Sequence, residues 1–356
     1  MATTKTTKER AGPLLLLDGM SLAFRAYFAL PDSLATTTGL VTNAVYGFSS
    51  MLVYLIREHR PSALAVAFDP PGDTFRDEML EDYKAGRAET PALLPPQFDM
   101  IREVLGALAI PVVEVPGYEA DDVIATLATE AAARESEVVI VTGDRDSFQL
   151  IRDPYIRVLY NKRGVSDYAL YDEAGIFERS GVPPSQYVLL AALRGDPSDN
   201  LPGVPGVGEK TAAKLLTSYG DLDGIFGHLD ELTPKLRENL AANEHLARSN
   251  AEIIPLVTDV PLLVDVGELT LGGWNLEDAE DVFTRFEMKT VWQRLEELLE
   301  DGRLGEPAEG SARPGAGRGA PGSAAAPAGG AAATPAPEPM APAFELQDVA
   351  LPATAA

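Results

Sequence analysis

The chain has 356 residues, enough for two folded units, and sets 54 Asp and Glu against 29 Lys and Arg for a formal net charge of −25. A surplus of that sign disfavours diffuse attraction to nucleic acid or to an anionic membrane, so a polyanion has to be met by local basic patches or by metal ions. There is no cysteine, which excludes disulfides and thiolate chemistry and suits a reducing cytoplasm; His59, His228 and His245 have no zinc-ligand spacing, and no G-x-S-x-G elbow is present.

Residues 1–10 are polar and are expected to form a disordered N-terminus. The leucine run behind them ends after four residues in Asp18, too short for a signal peptide, and nothing approaches the roughly 18 apolar residues of a membrane span. Short β-type runs follow at 14–17, 63–68, 111–115, 137–142 and 155–160. Between them apolar residues recur at helical spacing, as at Val45, Phe48, Met51, Leu52, Leu55 and Ile56, and again at Val123, Ile124 and Leu127. This alternation predicts an α/β core over 11–182, with a mostly parallel central sheet flanked by helices. From 183 to 300 the pattern becomes helical, broken by Gly and Pro, and predicts a helical subdomain. Residues 301–356 are rich in Ala, Pro and Gly and read as a disordered linker or tail.

Aspartates close three of the strand runs: Asp18 after "LLLL", Asp69 after "AVAF", and Asp144 with Asp146 after "VIVTG". "GYEADD" adds Glu119, Asp121 and Asp122 at a helix entry, and "GDPSDN" adds Asp196 and Asp199. Taken singly, such acids serve as helix caps and turn formers. Together, at the carboxyl ends of parallel strands, they are expected to converge, and their mutual repulsion calls for cations. Oxygen-only ligands point to Mg²⁺ or Mn²⁺, and this many acids to two ions, the arrangement suited to phosphodiester hydrolysis.

The stretch 70–91 carries Arg76, Tyr83, Lys84 and Arg87 among acids. Helical spacing would set Lys84 and Arg87 toward one phosphate, with Tyr83 free to stack on a base; the alternative is an ordinary mixed-charge surface helix. Further on, "GVPGVGEKT" resembles a phosphate-binding P-loop. Glu209, however, intervenes between Gly208 and Lys210-Thr211, and the segment follows a helical stretch where a P-loop follows a strand.

"LLLLDGMSLAFRAYFAL", "TNAVYGF", "AFD", "YKAGR", "GYEADDVIATLA", "TGDRDSFQL" and "LRGDPSDNLPGVPGVGEKTAAKLL" occur in that order. Together they resemble the structure-specific 5′ nuclease family, which includes the 5′ nuclease domain of bacterial DNA polymerase I and the flap endonucleases. The resemblance runs from about 14 to 300 and implies a PIN-like core, a helical arch at about 70–96 and a helix-hairpin-helix at about 199–219. It implies 5′-3′ exonuclease and 5′-flap endonuclease activity on DNA through two Mg²⁺ or Mn²⁺ ions, in RNA-primer removal and repair. Asp18, Asp69, Glu119, Asp121, Asp122, Asp144, Asp146, Asp196 and Asp199 match the family's metal carboxylates. Lys84 and Arg87 match its arch cations and Arg25 the basic residue after the first aspartate; Arg76 falls at the arch entrance and is expected to contact DNA there. Gly203, Gly206 and Gly208 would let backbone N–H groups reach a DNA phosphate, Thr211 lies beside them, and Lys210 and Lys214 would add phosphate contacts. In this family the hairpin commonly holds K⁺. The expected partners are DNA with a 5′ flap, a nick or a 5′ end, RNA–DNA primers and a DNA polymerase. The expected protein is a cytoplasmic, nucleoid-associated monomer, and none of its residues matches a polymerase domain. A DNA-binding module without catalysis and a related metal-dependent ribonuclease remain the competing readings.

Overall fold

A computed structural model describes residues 12–308. The expected disorder at 1–10 and most of the Ala/Pro/Gly-rich tail lie outside the described residues. In chain order the first half consists of β1 (Leu14–Asp18), α1 (Gly19–Ala29), α2 (Asn43–His59), β2 (Ala63–Ala67), α3 (Phe75–Met79), α4 (Pro95–Ala107), β3 (Val112–Val113), α5 (Ala120–Ala133), β4 (Val138–Thr142), β5 (Ile156–Arg163) and β6 (Asp167–Tyr171). The second half consists of α6 (Glu173–Ser180), α7 (Tyr187–Arg194), β7 (Gly195–Asp196), β8 (Leu201–Pro202), α8 (Glu209–Tyr219), α9 (Leu222–Gly227), α10 (Pro234–Ile253), α11 (Leu276–Arg285) and α12 (Lys289–Glu300).

Uninterrupted apolar runs suit strands covered on both sides, and every residue of β1, β2 and β4 is buried. The six strands of the main sheet run in the order β3-β2-β1-β4-β5-β6. All pairs are parallel except β5 with β6. Side chains alternate between two faces. Leu14, Leu16, Ala65, Val138 and Ile140 pack with α5 and with the apolar sides of α7, α8 and α10. Leu15, Leu17, Leu64, Val66 and Val141 pack with α1, α2 and α4.

Three expectations change. β3, at one edge, is only two residues long, and β6, at the other edge, gives no long apolar run because its residues are half-buried or exposed. Residues 183–300 do not form one helical unit. The apolar stripes Val282, Phe283, Phe286 and Val291, Leu295, Leu298 close the sheet face already covered by α2 and α4, opposite α7–α10. Nor does the tail begin at 301: Leu304 is buried, the Gly273 N–H donates to the Glu306 carbonyl at 2.7 Å, and the Ala308 N–H to the Trp274 carbonyl at 2.8 Å. Among the described residues no helix is long and apolar enough to cross a membrane.

Candidate active site

The order of strands reverses between β1 and β4, because the chain moves from β1 to β2 on one side and from β4 to β5 on the other. In a sheet of this kind the crevice outside the carboxyl ends at that point is where ligands bind. Asp18 is the last residue of β1, Asp144 lies two beyond β4, and Asp69 two beyond β2. The loop after β3 delivers Glu119 and Asp121 at the start of α5, and the Asp69 carboxylate accepts the Ala120 N–H at 2.7 Å, which ties that helix to the sheet edge.

Short local bonds fix the orientation of each acid. Asp18 caps α1 by accepting the Ser21 N–H at 2.9 Å, and its other oxygen accepts the Thr142 hydroxyl at 2.7 Å. The same hydroxyl oxygen accepts the Asp144 N–H at 2.9 Å, and Asp144 in turn accepts the Asp146 N–H at 2.9 Å. Ser21 accepts the Gly143 N–H at 2.9 Å. Thr142 and Ser21 thus bridge the ends of β1 and β4. Neither was singled out from sequence, although a hydroxyl residue within three positions of a candidate acid was an available signal.

Burial and like charge act together here. Burial, reinforced by Asp69 and Asp144 and opposed by the bonds from Ser21 and Thr142, pushes the Asp18 carboxyl up to about 7. Asp121 lies well above the carboxylate range through burial, then through Asp144, Asp18, Asp69 and Glu119. Asp146 is raised in the same way by burial, then by Asp144, Asp196 and Asp199, with Arg194 opposing. Asp144 is raised by burial, with Asp199 and Asp196 adding to it. One Oδ1 of Asp121 and one of Asp146 are buried with no hydrogen-bond partner. Unpaired carboxylate oxygens of this kind fit a hard divalent cation. Among the described residues no three acids surround one point as a ready-made ion site.

Side-chain cations from the stretch before α4 lie against this cluster. Lys84 Nζ donates to Glu119 at 2.6 Å, and the Arg87 guanidinium to Asp199 at 2.6 Å. The Lys84 N–H donates to the Asp199 carbonyl at 3.0 Å, Arg87 Nε to the Ser198 carbonyl at 3.0 Å, and Asn200 to the Asp82 carbonyl at 2.8 Å. The chain here is not a helical arch. Only α3, five residues long, is helical, and Lys84 (φ 54°) and Gly86 (φ 84°) take left-handed backbone that breaks a helix.

Four expected roles fail on geometry. Tyr83 is buried, and its hydroxyl donates to Asp199 at 3.0 Å, so it offers no face to a base. Arg76 is 2% exposed and is spent on Asp122, through bonds of 2.7 and 2.8 Å, so it is no DNA contact. Asp122 is fully buried, and its oxygens also accept the Val257 N–H at 2.9 Å and the Glu119 N–H at 3.2 Å. That leaves it no place among the metal carboxylates. Gly203 is a packing glycine: a Cβ there would lie 2.0 Å from the Arg194 carbonyl oxygen.

Comparison with known proteins gives the family. A profile described as 5′-3′ exonuclease, N-terminal resolvase-like domain, matches residues 13–181, and one described as 5′-3′ exonuclease, C-terminal SAM fold, matches 182–277. The chain belongs to the 5′-3′ exonuclease family. DNA polymerase I of Mycobacterium tuberculosis is 46% identical over 303 residues, covering 84% of this chain and 33% of the polymerase. DNA polymerase I of Bacillus caldotenax is 39% identical over 284 residues, covering 80% of this chain and 32% of that protein. The chain therefore spans about a third of the length of these relatives. Among solved structures, bacteriophage T5 5′-exonuclease with bound divalent metal ions (zinc) superposes with a TM-score of 0.57 at 23% identity, over 79% of this chain and 98% of that one. At that identity the likeness concerns the fold.

In this member of the family the helix pair around the glycine-rich hairpin is α7 and α8, so the helix-hairpin-helix begins at Tyr187 and not near 199. Gly206 (φ 79°) makes the turn, and Gly208 caps α8 with open space around it. Lys210 and Lys214 are exposed on α8, and Thr211 is half-buried. Asp196 caps the turn 197–199 by accepting the Ser198 N–H at 2.9 Å. Arg194, missed from sequence, stands 3.8 Å from Asp196 and 3.5 Å from Glu209, joining the hairpin to the acids. Arg25 donates to the Asn161 carbonyl at 3.3 Å and flanks Gly143, at the rim of the same crevice.

Proposed function

We propose that this chain is a divalent-metal-dependent 5′-3′ exonuclease and 5′-flap endonuclease that hydrolyses phosphodiester bonds in DNA. The observation that carries the reading is the crowding of Asp18, Asp121, Asp144 and Asp146 at the strand-order reversal, with two buried carboxylate oxygens left unpaired. Membership of the exonuclease family supports it, and fold neighbours have been solved with metal ions and with DNA.

Asp18, Asp69, Glu119, Asp121, Asp144, Asp146, Asp196 and Asp199 would together hold two Mg²⁺ or Mn²⁺ ions, directly or through the ions' waters. Bound there, such ions supply Lewis-acid activation of a water and charge neutralisation at the scissile phosphate. Thr142 and Ser21 keep the Asp18 and Asp144 carboxylates aimed. Lys84 and Arg87, released from Glu119 and Asp199, bond the phosphate and offset the charge that grows on it during attack. Arg25 meets the strand at the rim. The Gly206–Gly208 hairpin, Lys210, Thr211 and Lys214 grip duplex backbone without reading sequence, and the hairpin would hold K⁺. RNA–DNA primers and work beside a polymerase fit this chemistry.

A labelled 5′-flap duplex incubated with Mg²⁺ should give short 5′ products, and EDTA should abolish them. Asp144→Ala should retain binding and lose cleavage. Wild-type rates from Asp144→Ala, or cleavage that persists in EDTA, would overturn the assignment.

A further inference from the structure

Arg76 is the only guanidinium among the described residues that is almost wholly buried, and it does more than neutralise Asp122. It leaves α3, at the root of the stretch that carries Lys84 and Arg87, with its head over the Phe75 ring at 4.5 Å. Two of its nitrogens bind the Asp122 carboxylate in fork geometry. Nε donates to the Ile253 carbonyl at 3.0 Å, and a terminal nitrogen to the Pro255 carbonyl at 3.0 Å. The same fork passes 3.5 Å from Glu119 Oε2. Asp122 returns the connection by accepting the Glu119 and Val257 N–H groups. One side chain therefore clamps the Lys84 stretch, the first turn of α5 and the chain leaving α10.

The geometry points to Arg76 as a positioning residue: it touches no substrate, but it sets where Glu119 and Asp121 stand in the metal cluster and keeps Asp122 out of it. The chemistry is plain. Without the fork, a further carboxylate is released beside acids that already repel one another, and the turn that orients Glu119 loses its outer support. The inference rests on the metal-site reading above. It predicts that the fork geometry, and not positive charge alone, governs ion affinity.

The test measures Mn²⁺ binding by electron paramagnetic resonance, with folding followed by circular dichroism, on wild type, Arg76→Lys and the double variant Arg76→Met with Asp122→Leu. Lysine keeps the charge, but its three N–H groups on a single nitrogen cannot reproduce the four bonds of the guanidinium fork. An apolar pair of similar volume often restores the stability lost when one partner of a buried ion pair is removed. Arg76→Lys should fold, bind Mn²⁺ roughly 10-fold more weakly, and lower kcat while KM for a flap duplex stays within about twofold. The double variant should keep a urea midpoint close to that of wild type and still bind Mn²⁺ weakly. Folded variants with Mn²⁺ affinity within about twofold of wild type would overturn the inference alone, as would a rise confined to KM. A wild-type protein that binds no Mn²⁺ would overturn the functional reading and this inference with it.

Discussion

Removing divalent metal should make this protein's stability fall as pH rises, in a window the acid cluster defines. The Asp18 carboxyl moves from 3.8 in the unfolded chain to about 7 in the fold, chiefly through burial. A group raised on folding contributes stability that is present below the unfolded value and lost as pH climbs through the folded one. Ionising Asp18 therefore costs about 4 kcal/mol more in the native protein than in the unfolded chain. Asp121, Asp144 and Asp146 act in the same direction. Between about pH 4 and pH 8 in EDTA, Asp18 alone should lower Tm by roughly 10 °C, given a few degrees per kcal/mol for a chain of this size. Saturating Mg²⁺ at pH 8 should reverse most of the loss, because the ion binds the native carboxylates and not the unfolded chain. Differential scanning calorimetry across that range, with and without Mg²⁺, reads both effects. A metal-free Tm that is flat or rising from pH 5 to 8, or one that Mg²⁺ leaves unmoved, would refute the reasoning.

Other perturbations separate chemistry from grip and from packing. Lys84→Ala should lower kcat by about 10²-fold or more with a smaller change in KM, as the proposed role of the ammonium on transition-state charge requires; steady-state kinetics on a flap duplex decide, and a rise in KM alone would reassign it to binding. Lys210→Ala and Lys214→Ala should weaken binding equally for all sequences and reduce the dependence of log K on log salt by about one each, measured by fluorescence anisotropy. Gly203→Ala should destabilise by about 2 kcal/mol or more in urea, because the new methyl would sit 2.0 Å from the Arg194 carbonyl oxygen. An unchanged urea midpoint would remove the packing role assigned to that glycine.

Much of the site was legible because it is written in local patterns. Apolar runs without polar alternation announce strands buried on both faces, and an aspartate at the end of such a run marks its carboxyl end, as at Asp18, Asp69 and Asp144. The arch misled for a local reason as well. The three-residue spacing of Lys84 and Arg87 suits a helix, but a left-handed backbone at Lys84 and Gly86 forms turns, and those turns fold Tyr83 inward. Thr142 and Ser21 escaped notice because a hydroxyl carries no charge signature; only its distance to Asp18 and Gly143 reveals the bridge.

By itself the sequence determined the alternation of strands and helices, the acids at the strand ends, and the family. Each of these depends on spacing along the chain or on residue type. Tertiary structure alone decided where each acid points. Asp121 and Asp122 are neighbours in sequence, but the helical turn sends one carboxylate into the cluster and the other to Arg76, 46 positions away. It also decided that Gly203 packs against its own chain while Gly208 faces open space. Pairings between residues so far apart follow no period, so only the packed fold brings them together.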